Sequence, residues 1–148
     1  MPDNEPAIPV DVPEDIDDTL IQEIEDYLKG VMDNNENVIE MSDNIIKSPG
    51  ANCVAAAINF CSALTEVHLS NCQIRDPGAK TIFSEVAMSK TVQVLDLSRN
   101  PITERSFDAL EKMLNQNSTI QKVILSGIEV KNSFSWGRLK KFGSIIVQ

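Results

Sequence analysis

Apolar and polar positions repeat along the chain with a period of 28 residues. Segments that begin at Leu64, Val92 and Ile120 carry apolar residues at places 1, 4, 6 and 11. An earlier segment from Glu36 shares places 4, 6 and 11, and a serine stands at place 7 of all four segments. Self-similarity at a fixed period indicates a structure built of stacked units.

The second half of each period predicts a helix. Ala51, Val54, Ala55 and Ile58 have the i, i+3, i+4, i+7 spacing of an amphipathic helix, and similar positions recur in the next two periods. Pro49-Gly50 and Pro77-Gly78 precede these stretches and are typical of helix starts. Each period therefore predicts a short strand, a turn and a helix of about ten residues.

Such a unit cannot bury its apolar face alone, so neighbouring units must stack, with their strands paired in parallel. Places 4 and 6 of each segment then point inward. At place 9, the amides of Asn44 and Asn100 can bond backbone groups that the strand ladder leaves unpaired, and Cys72 is a smaller variant with a weak donor. Ile128, at the same place of the last segment, cannot make such bonds.

The stretches Leu64–Ile74 and Val92–Ile102 follow the pattern L-x-x-L-x-L-x-x-N/C-x-L, which resembles the leucine-rich repeat family. The period of 28 residues with a helical second half is similar to the ribonuclease-inhibitor-like subtype. The resemblance implies an α/β solenoid with parallel strands on the concave face and helices on the convex face. It implies about four repeats, 36–63, 64–91, 92–119 and 120–148. Within that subtype, the segment Asp15–Leu20 and the Asn-rich approach to the first strand resemble the leucine-rich domain of tropomodulins.

Both ends of a solenoid need caps. We predict an acidic, Pro-containing disordered tail over 1–12, an N-terminal cap over 13–35, and the leucine-rich repeat domain over 36–148. The cap helix is expected over about residues 14–29, with Pro13 at its first position and Gly30 at its exit. At the other end, Ile145–Val147 either covers the last unit or adds a truncated parallel strand.

The acidity of the chain belongs to its N-terminal part. Residues 1–35 hold eleven carboxylates and one lysine, whereas residues 36–148 hold eleven acids and twelve bases. A nearly neutral body without a basic stripe argues against a nucleic-acid partner. No apolar run approaches the length needed to span a bilayer, and the N-terminus has no signal-peptide pattern. Three cysteines without a disulfide pattern favour a reducing, cytoplasmic location and no membrane association.

The sequence offers little for catalysis, a metal or a cofactor. His68 is the only histidine, and Cys72 lies beyond its strand, turned inward. A zinc site would need further ligands within reach, and Cys53 and Cys61 belong to the helical half of the previous unit. No phosphate-binding, metalloprotease or nucleophile-elbow motif occurs. We therefore expect no catalytic residues, no metal, no cofactor and no enzymatic activity.

The strands instead predict a binding surface. Places 3 and 5, and place 8 near the strand end, face away from the core on the concave side, and they differ between units while core places hold constant. We predict a protein partner on this surface, with the following contact residues: Val38, Glu40, Asp43, Glu66, His68, Asn71, Val94, Asp96, Arg99, Lys122 and Ile124. The outward apolar members of this set support an interaction site.

Alternatives remain open at this point. Binding could use the exposed ends, and the apolar C-terminus suggests that the chain is one subunit of a larger assembly. The likeness to tropomodulins implies a cytoskeletal, actin-binding role. A third hypothesis is regulation of an enzyme, with the acidic N-terminus masking a basic partner.

Overall fold

A computed structural model describes residues 14–148 of the chain. The predicted tail over 1–12 and the expected helix start at Pro13 lie outside these residues. The elements in chain order are α1 (Asp18–Asp33), β1 (Val38–Glu40), α2 (Lys47–Ile58), β2 (Glu66–His68), α3 (Asp76–Met88), β3 (Val94–Asp96), a 3₁₀ turn (Glu104–Ser106), α4 (Phe107–Gln116), β4 (Lys122–Ile124), a 3₁₀ segment (Ser133–Phe142) and β5 (Ile146–Val147).

The strands form one parallel sheet in the order β1-β2-β3-β4-β5. Neighbouring strands pair in the register that the repeat predicts, since Ile39 lies opposite Val67, Val67 opposite Leu95, and Leu95 opposite Val123. The central residue of each of these strands is fully buried. The helices form the layer on the other side of this core. The predicted α/β leucine-rich repeat solenoid is therefore confirmed.

The N-terminal helix differs from its predicted bounds. It begins at Asp18, because Asp17 is extended and its carboxylate accepts the Thr19 backbone N–H at 2.8 Å. It continues through the expected exit at Gly30 to Asp33. The buried side chain of Val31 keeps the last turn packed on the core. Packing thus decides the helix end rather than the glycine.

The last unit is shorter than the others. Ile146 of β5 pairs with Val123 of β4, a separation of 23 residues, whereas the preceding strands pair at 28. The 3₁₀ segment replaces the α-helix found in the earlier units. Trp136 of this segment packs on buried Phe107 of α4, with ring centroids 4.9 Å apart. The 3₁₀ segment thereby covers the last helix, and β5 is the final parallel strand that the sequence allowed.

An asparagine links the strand ends of neighbouring units. The Asn100 side-chain oxygen, Oδ1, accepts the backbone N–H groups of Cys72 (2.9 Å) and Ile74 (3.0 Å). Its amide nitrogen donates to three backbone carbonyls, those of Leu69, Leu97 and Ser98. At the equivalent place, the exposed Asn44 donates only to carbonyls of its own turn. The predicted role of this place is confirmed, and Asn100 performs it most completely.

Cys72 occupies the same place in the second unit. Its thiol donates to the carbonyls of Met41 (3.2 Å) and Ser70 (3.4 Å), and its side chain is fully buried. Burial raises the pKa of the Cys72 thiol to about 11, because a thiolate would lose its hydration there.

The raised pKa of Cys72 predicts loss of stability in alkali. The folded state holds the thiol proton at pH values where the unfolded chain has released it, so this stabilisation is present below pH 9 and is lost as pH rises towards 11. We expect the stability gap between wild type and Cys72→Val to shift against wild type across that window. Urea unfolding at pH 8, 9 and 10 would measure the gap; a constant gap would contradict the assignment.

A second polar row joins the helix starts. Ser48, Asp76 and Glu104 each accept backbone N–H groups from the following unit. Gly78 makes the first of these contacts possible, since a Cβ there would lie 2.9 Å from the Ser48 Cα atom. Asp76 is 5% exposed and its carboxylate also accepts the hydroxyls of Thr103 and Ser106. These bonds fix the start of each helical segment relative to the next.

Candidate functional site on the open face of the sheet

The strand residues that flank the buried central position face away from the helices. They form two continuous rows across the sheet because the strands pair in register. The first row is Val38, Glu66, Val94 and Lys122, and the second is Glu40, His68, Asp96 and Ile124. Neighbours within a row lie about 5 Å apart. The structure therefore brings together eight of the predicted contact residues.

A histidine between two carboxylates lies at the centre of this face. The His68 Nε2 atom is 2.8 Å from Glu66 Oε1, and its Nδ1 atom is 3.9 Å from Asp96 Oδ2. The three side chains are partly buried, with exposed fractions of 23%, 43% and 17% for His68, Glu66 and Asp96. This group presents carboxylate oxygens to the solvent and holds the imidazole in place.

Two of the carboxylates on this face also stabilise their own turns. The Glu40 side chain accepts the Ser42 backbone N–H at 2.8 Å. Asp96 accepts both the backbone N–H (2.9 Å) and the hydroxyl (2.7 Å) of Ser98. Because each carboxylate is tied to its turn, its position is fixed before any partner arrives. A variant that keeps the acceptor oxygen and removes the charge would separate the carboxylate's bond to its own turn from the charge that it presents on the face.

The remaining predicted residues lie in the turns that follow the strands. Asp43, Asn71, Arg99 and Gly127 occupy equivalent places and all have positive φ angles, of 68°, 55°, 54° and 74°. The Asn71 side chain donates to the Asp43 carboxylate at 3.0 Å. Asp43, Asn71 and Arg99 are exposed. They lie beyond the strand ends, next to the two rows of strand residues.

Two further residues extend the face beyond the predicted set. The Tyr27 hydroxyl of α1 accepts the Glu40 backbone N–H at 2.8 Å and the side chain is 37% exposed. Val147 of β5 lies opposite Ile124 and is also 37% exposed. Tyr27 sits at the margin of an amphipathic stripe, and Val147 follows the shortened unit, so the repeat period identifies neither of them.

Charge is divided across the face. The acids Glu40, Glu66 and Asp96 lie on β1 to β3, whereas Arg99 and Lys122 lie towards β4. Apolar side chains stand between and beside them: Val38 is 37% exposed, and Val94 and Ile124 are half-buried. A partner that fits this face needs bases opposite the first strands and an acid opposite β4.

The chemistry of residues 14–148 is that of a surface rather than a metal centre. No three His, Cys, Asp or Glu side chains within this range come together in an arrangement that would hold a metal ion. All three cysteines are free, and Cys72 is committed to the core, away from His68. Among these residues, no helix has the length and apolar character required to cross a bilayer.

Comparison with known proteins identifies the repeat. Two family models, both described as Leucine Rich Repeat, match residues 60–83 and 91–113. A region of 60 residues, 40% of this chain, is 35% identical to Leucine-rich repeat-containing protein 45 of Gallus gallus. That region is only 9% of the relative's length. The matched stretches, residues 60–83 and 91–113, therefore carry leucine-rich repeats.

Two solved structures are similar to this chain over most of its length. The chain is similar to a structure titled Leiomodin-1 Actin-Binding Site 2, with a TM-score of 0.71 and 17% identity, over 91% of this chain and 80% of that one. It is also similar to the tropomodulin C-terminal domain of Caenorhabditis elegans, with a TM-score of 0.53 and 14% identity, over 80% of this chain and 90% of that one. At such identities the likeness concerns the fold alone.

Proposed function

We propose that the chain is a non-catalytic protein-binding module whose partner contacts the open face of the sheet. The observation that carries this proposal is the pair of in-register rows, in which charged side chains and partly exposed apolar side chains lie side by side. Leucine-rich repeats build such rigid surfaces by stacking, and a preorganised surface loses little side-chain freedom on binding. The divided charge favours a protein with its own positive and negative patches.

The proposal is tested with a triple variant that alters side chains of the open face and keeps the hydrogen bonds to the following turns. The variant combines Glu40→Gln and Asp96→Asn, which remove two carboxylate charges, with His68→Ala, which removes the imidazole. The new amide oxygens can still accept the Ser42 and Ser98 N–H groups. In an affinity pull-down from cell extract, we expect the triple variant to retain less than about a tenth of the specific partner that wild type retains.

A matched control changes the helical side. Lys80→Ala, Ser84→Ala and Lys90→Ala replace three exposed residues on or just after α3. This variant is expected to bind as wild type does. Equal capture of the partner by wild type and by the triple variant of the face would overturn the proposal, provided that both variants melt as single transitions.

The second candidate is binding to actin filaments. It is favoured by the similarity over 91% of this chain to the structure titled Leiomodin-1 Actin-Binding Site 2. Co-sedimentation with filaments tests it: wild type should pellet with filaments, and the triple variant of the face should remain in the supernatant. If both stay in the supernatant, actin is not the partner, and the pull-down still decides the general proposal.

A further inference from the structure

An apolar groove lies on the helical side of the molecule, away from the open face of the sheet. It has a volume of about 460 Å³ and lies between α1 and α2. Leu28 and Met32 form one wall, Cys53 and Ala56 form the other, and Phe60 stands at its end. Grooves of this size accept a side chain or a short segment.

The groove leaves apolar surface open to solvent. The Phe60 side chain is 77% exposed and Met32 is 38% exposed, although both belong to the most apolar residue types. Small residues on α2, Cys53 and Ala56 among them, leave room where larger ones would fill the space. Contiguous exposed apolar area of this kind indicates an interaction site.

One wall of the groove belongs to an acidic stretch of the chain. Residues 14–33, which include α1, hold eight carboxylates against one lysine, and that lysine, Lys29, is paired with Asp33 at 2.6 Å. Glu25 itself lines the groove. An occupant must therefore bring an apolar anchor and positive charge. Residues 1–13 of this chain carry three carboxylates and no base, so charge disfavours them as the occupant.

The opposite end of the molecule has the complementary features. Phe134 is 88% exposed, the highest value among the large apolar side chains of residues 14–148. Residues 131–141 around it hold four bases and no acid. Arg138 and Lys141 are paired with carboxylates of α4, whereas Lys131 and Lys140 form no ion pair within the described residues.

Hydrogen bonds hold the backbone around Phe134 in place. The Asn132 side chain accepts the Phe134 backbone N–H at 3.0 Å, and the Glu104 carboxylate accepts the N–H groups of Lys131 and Asn132, both at 3.0 Å. An anchor whose backbone is already ordered binds with a smaller entropic cost.

We propose that a second copy of this chain inserts Phe134 into the groove between α1 and α2. The basic surroundings of Phe134 then face Glu25 in the groove and the acidic helix α1 beside it. The two surfaces lie at opposite ends of the five-stranded sheet, about 20 Å apart at the level of the strands, so one copy cannot satisfy its own groove. The contact is heterologous, and each pair leaves one groove and one Phe134 free for further copies.

Two variants test the contact from its two sides. Phe134→Asp removes the apolar anchor and adds a negative charge, and Ala56→Arg blocks the groove with a bulky base. Sedimentation equilibrium of wild type up to about 1 mM is expected to show mass increasing with concentration and decreasing with added salt. Each variant should weaken association about 30-fold or more.

Mixing the two variants gives the sharper result. Phe134→Asp retains an intact groove and Ala56→Arg retains an intact anchor, so the mixture should form one-to-one pairs and stop there. Met88→Asp, at another exposed apolar residue (52% exposed), should associate as wild type does. The triple variant of the open sheet face should also associate normally, which keeps this proposal separate from the proposed function.

Several results would contradict self-association through Phe134. A wild-type chain that stays monomeric at about 1 mM overturns the proposal, as does association that persists in Phe134→Asp or is lost equally in Met88→Asp. Thiol labelling of half-exposed Cys53 gives a second readout, because association should slow it in wild type but not in Phe134→Asp alone. If labelling is instead slowed only by a basic amphipathic peptide, the groove serves another partner and self-association is wrong.

Discussion

Asn100→Ala is expected to destabilise the folded chain by about 3 kcal/mol or more. The side chain is 1% exposed, and alanine would leave the buried N–H groups of Cys72 and Ile74 without an acceptor. Each buried donor that loses its partner costs about 1–3 kcal/mol. Urea unfolding followed by circular dichroism would measure the change in the free energy of unfolding.

Asn44→Ala provides the matched control, because the same residue type occupies the same place in an exposed turn. Its amide donates only to Met41 and Ser42 carbonyls, which water can reach in the variant. We expect a loss of about 1 kcal/mol or less. Similar losses for the two variants would show that the bonds between units do not determine the effect.

Phe107→Ala is expected to cost about 3–5 kcal/mol, the usual range for a buried phenylalanine. Phe107 is 1% exposed and lies between the core and the ring of Trp136, so alanine would open a cavity under the 3₁₀ segment. Trp136 is the only tryptophan. Its fluorescence should therefore shift towards that of exposed indole in the variant before global unfolding begins.

The control for this experiment is Phe134→Ala. The same residue type lies in the 3₁₀ segment itself but is 88% exposed, so its removal should change the stability by less than about 0.5 kcal/mol. Fluorescence that is identical in wild type and Phe107→Ala would mean that Trp136 does not depend on Phe107 for its position.

The repeat period was sufficient to predict the architecture between Glu36 and Leu125. Apolar side chains at a fixed spacing can share one interior only if their strands stack in parallel, which is the register observed for Val67, Leu95 and Val123. The role of the asparagine at place 9 was also predictable, since a side-chain amide beside a strand end commonly bonds to backbone groups.

The ends of the chain were less predictable because they follow no repeat. The start of α1 depends on a local bond from Asp17, and its end depends on the buried Val31 rather than on Gly30. The last unit lost five residues when a 3₁₀ segment replaced a helix, and no pattern in the sequence specifies that change.

For the candidate site, the alternation of strand residues correctly predicted which side chains lie on the open side of the sheet. It did not predict how those side chains interact with each other. The contact of His68 with Glu66, and the bond of Asp96 to Ser98, depend on side-chain rotamers that spacing does not determine. The place-8 residues have positive φ angles in the turns after the strands, and their role in binding stays a prediction.

The left-handed turn after each strand has a consequence at Arg99. Aspartate, asparagine and glycine tolerate such a backbone, and these residues occupy the other three equivalent places, whereas an arginine there costs about 1 kcal/mol relative to glycine. A glycine at this position would stabilise the folded chain and remove one cation beside the proposed binding face. The backbone and the proposed recognition role therefore favour different residues at the same position.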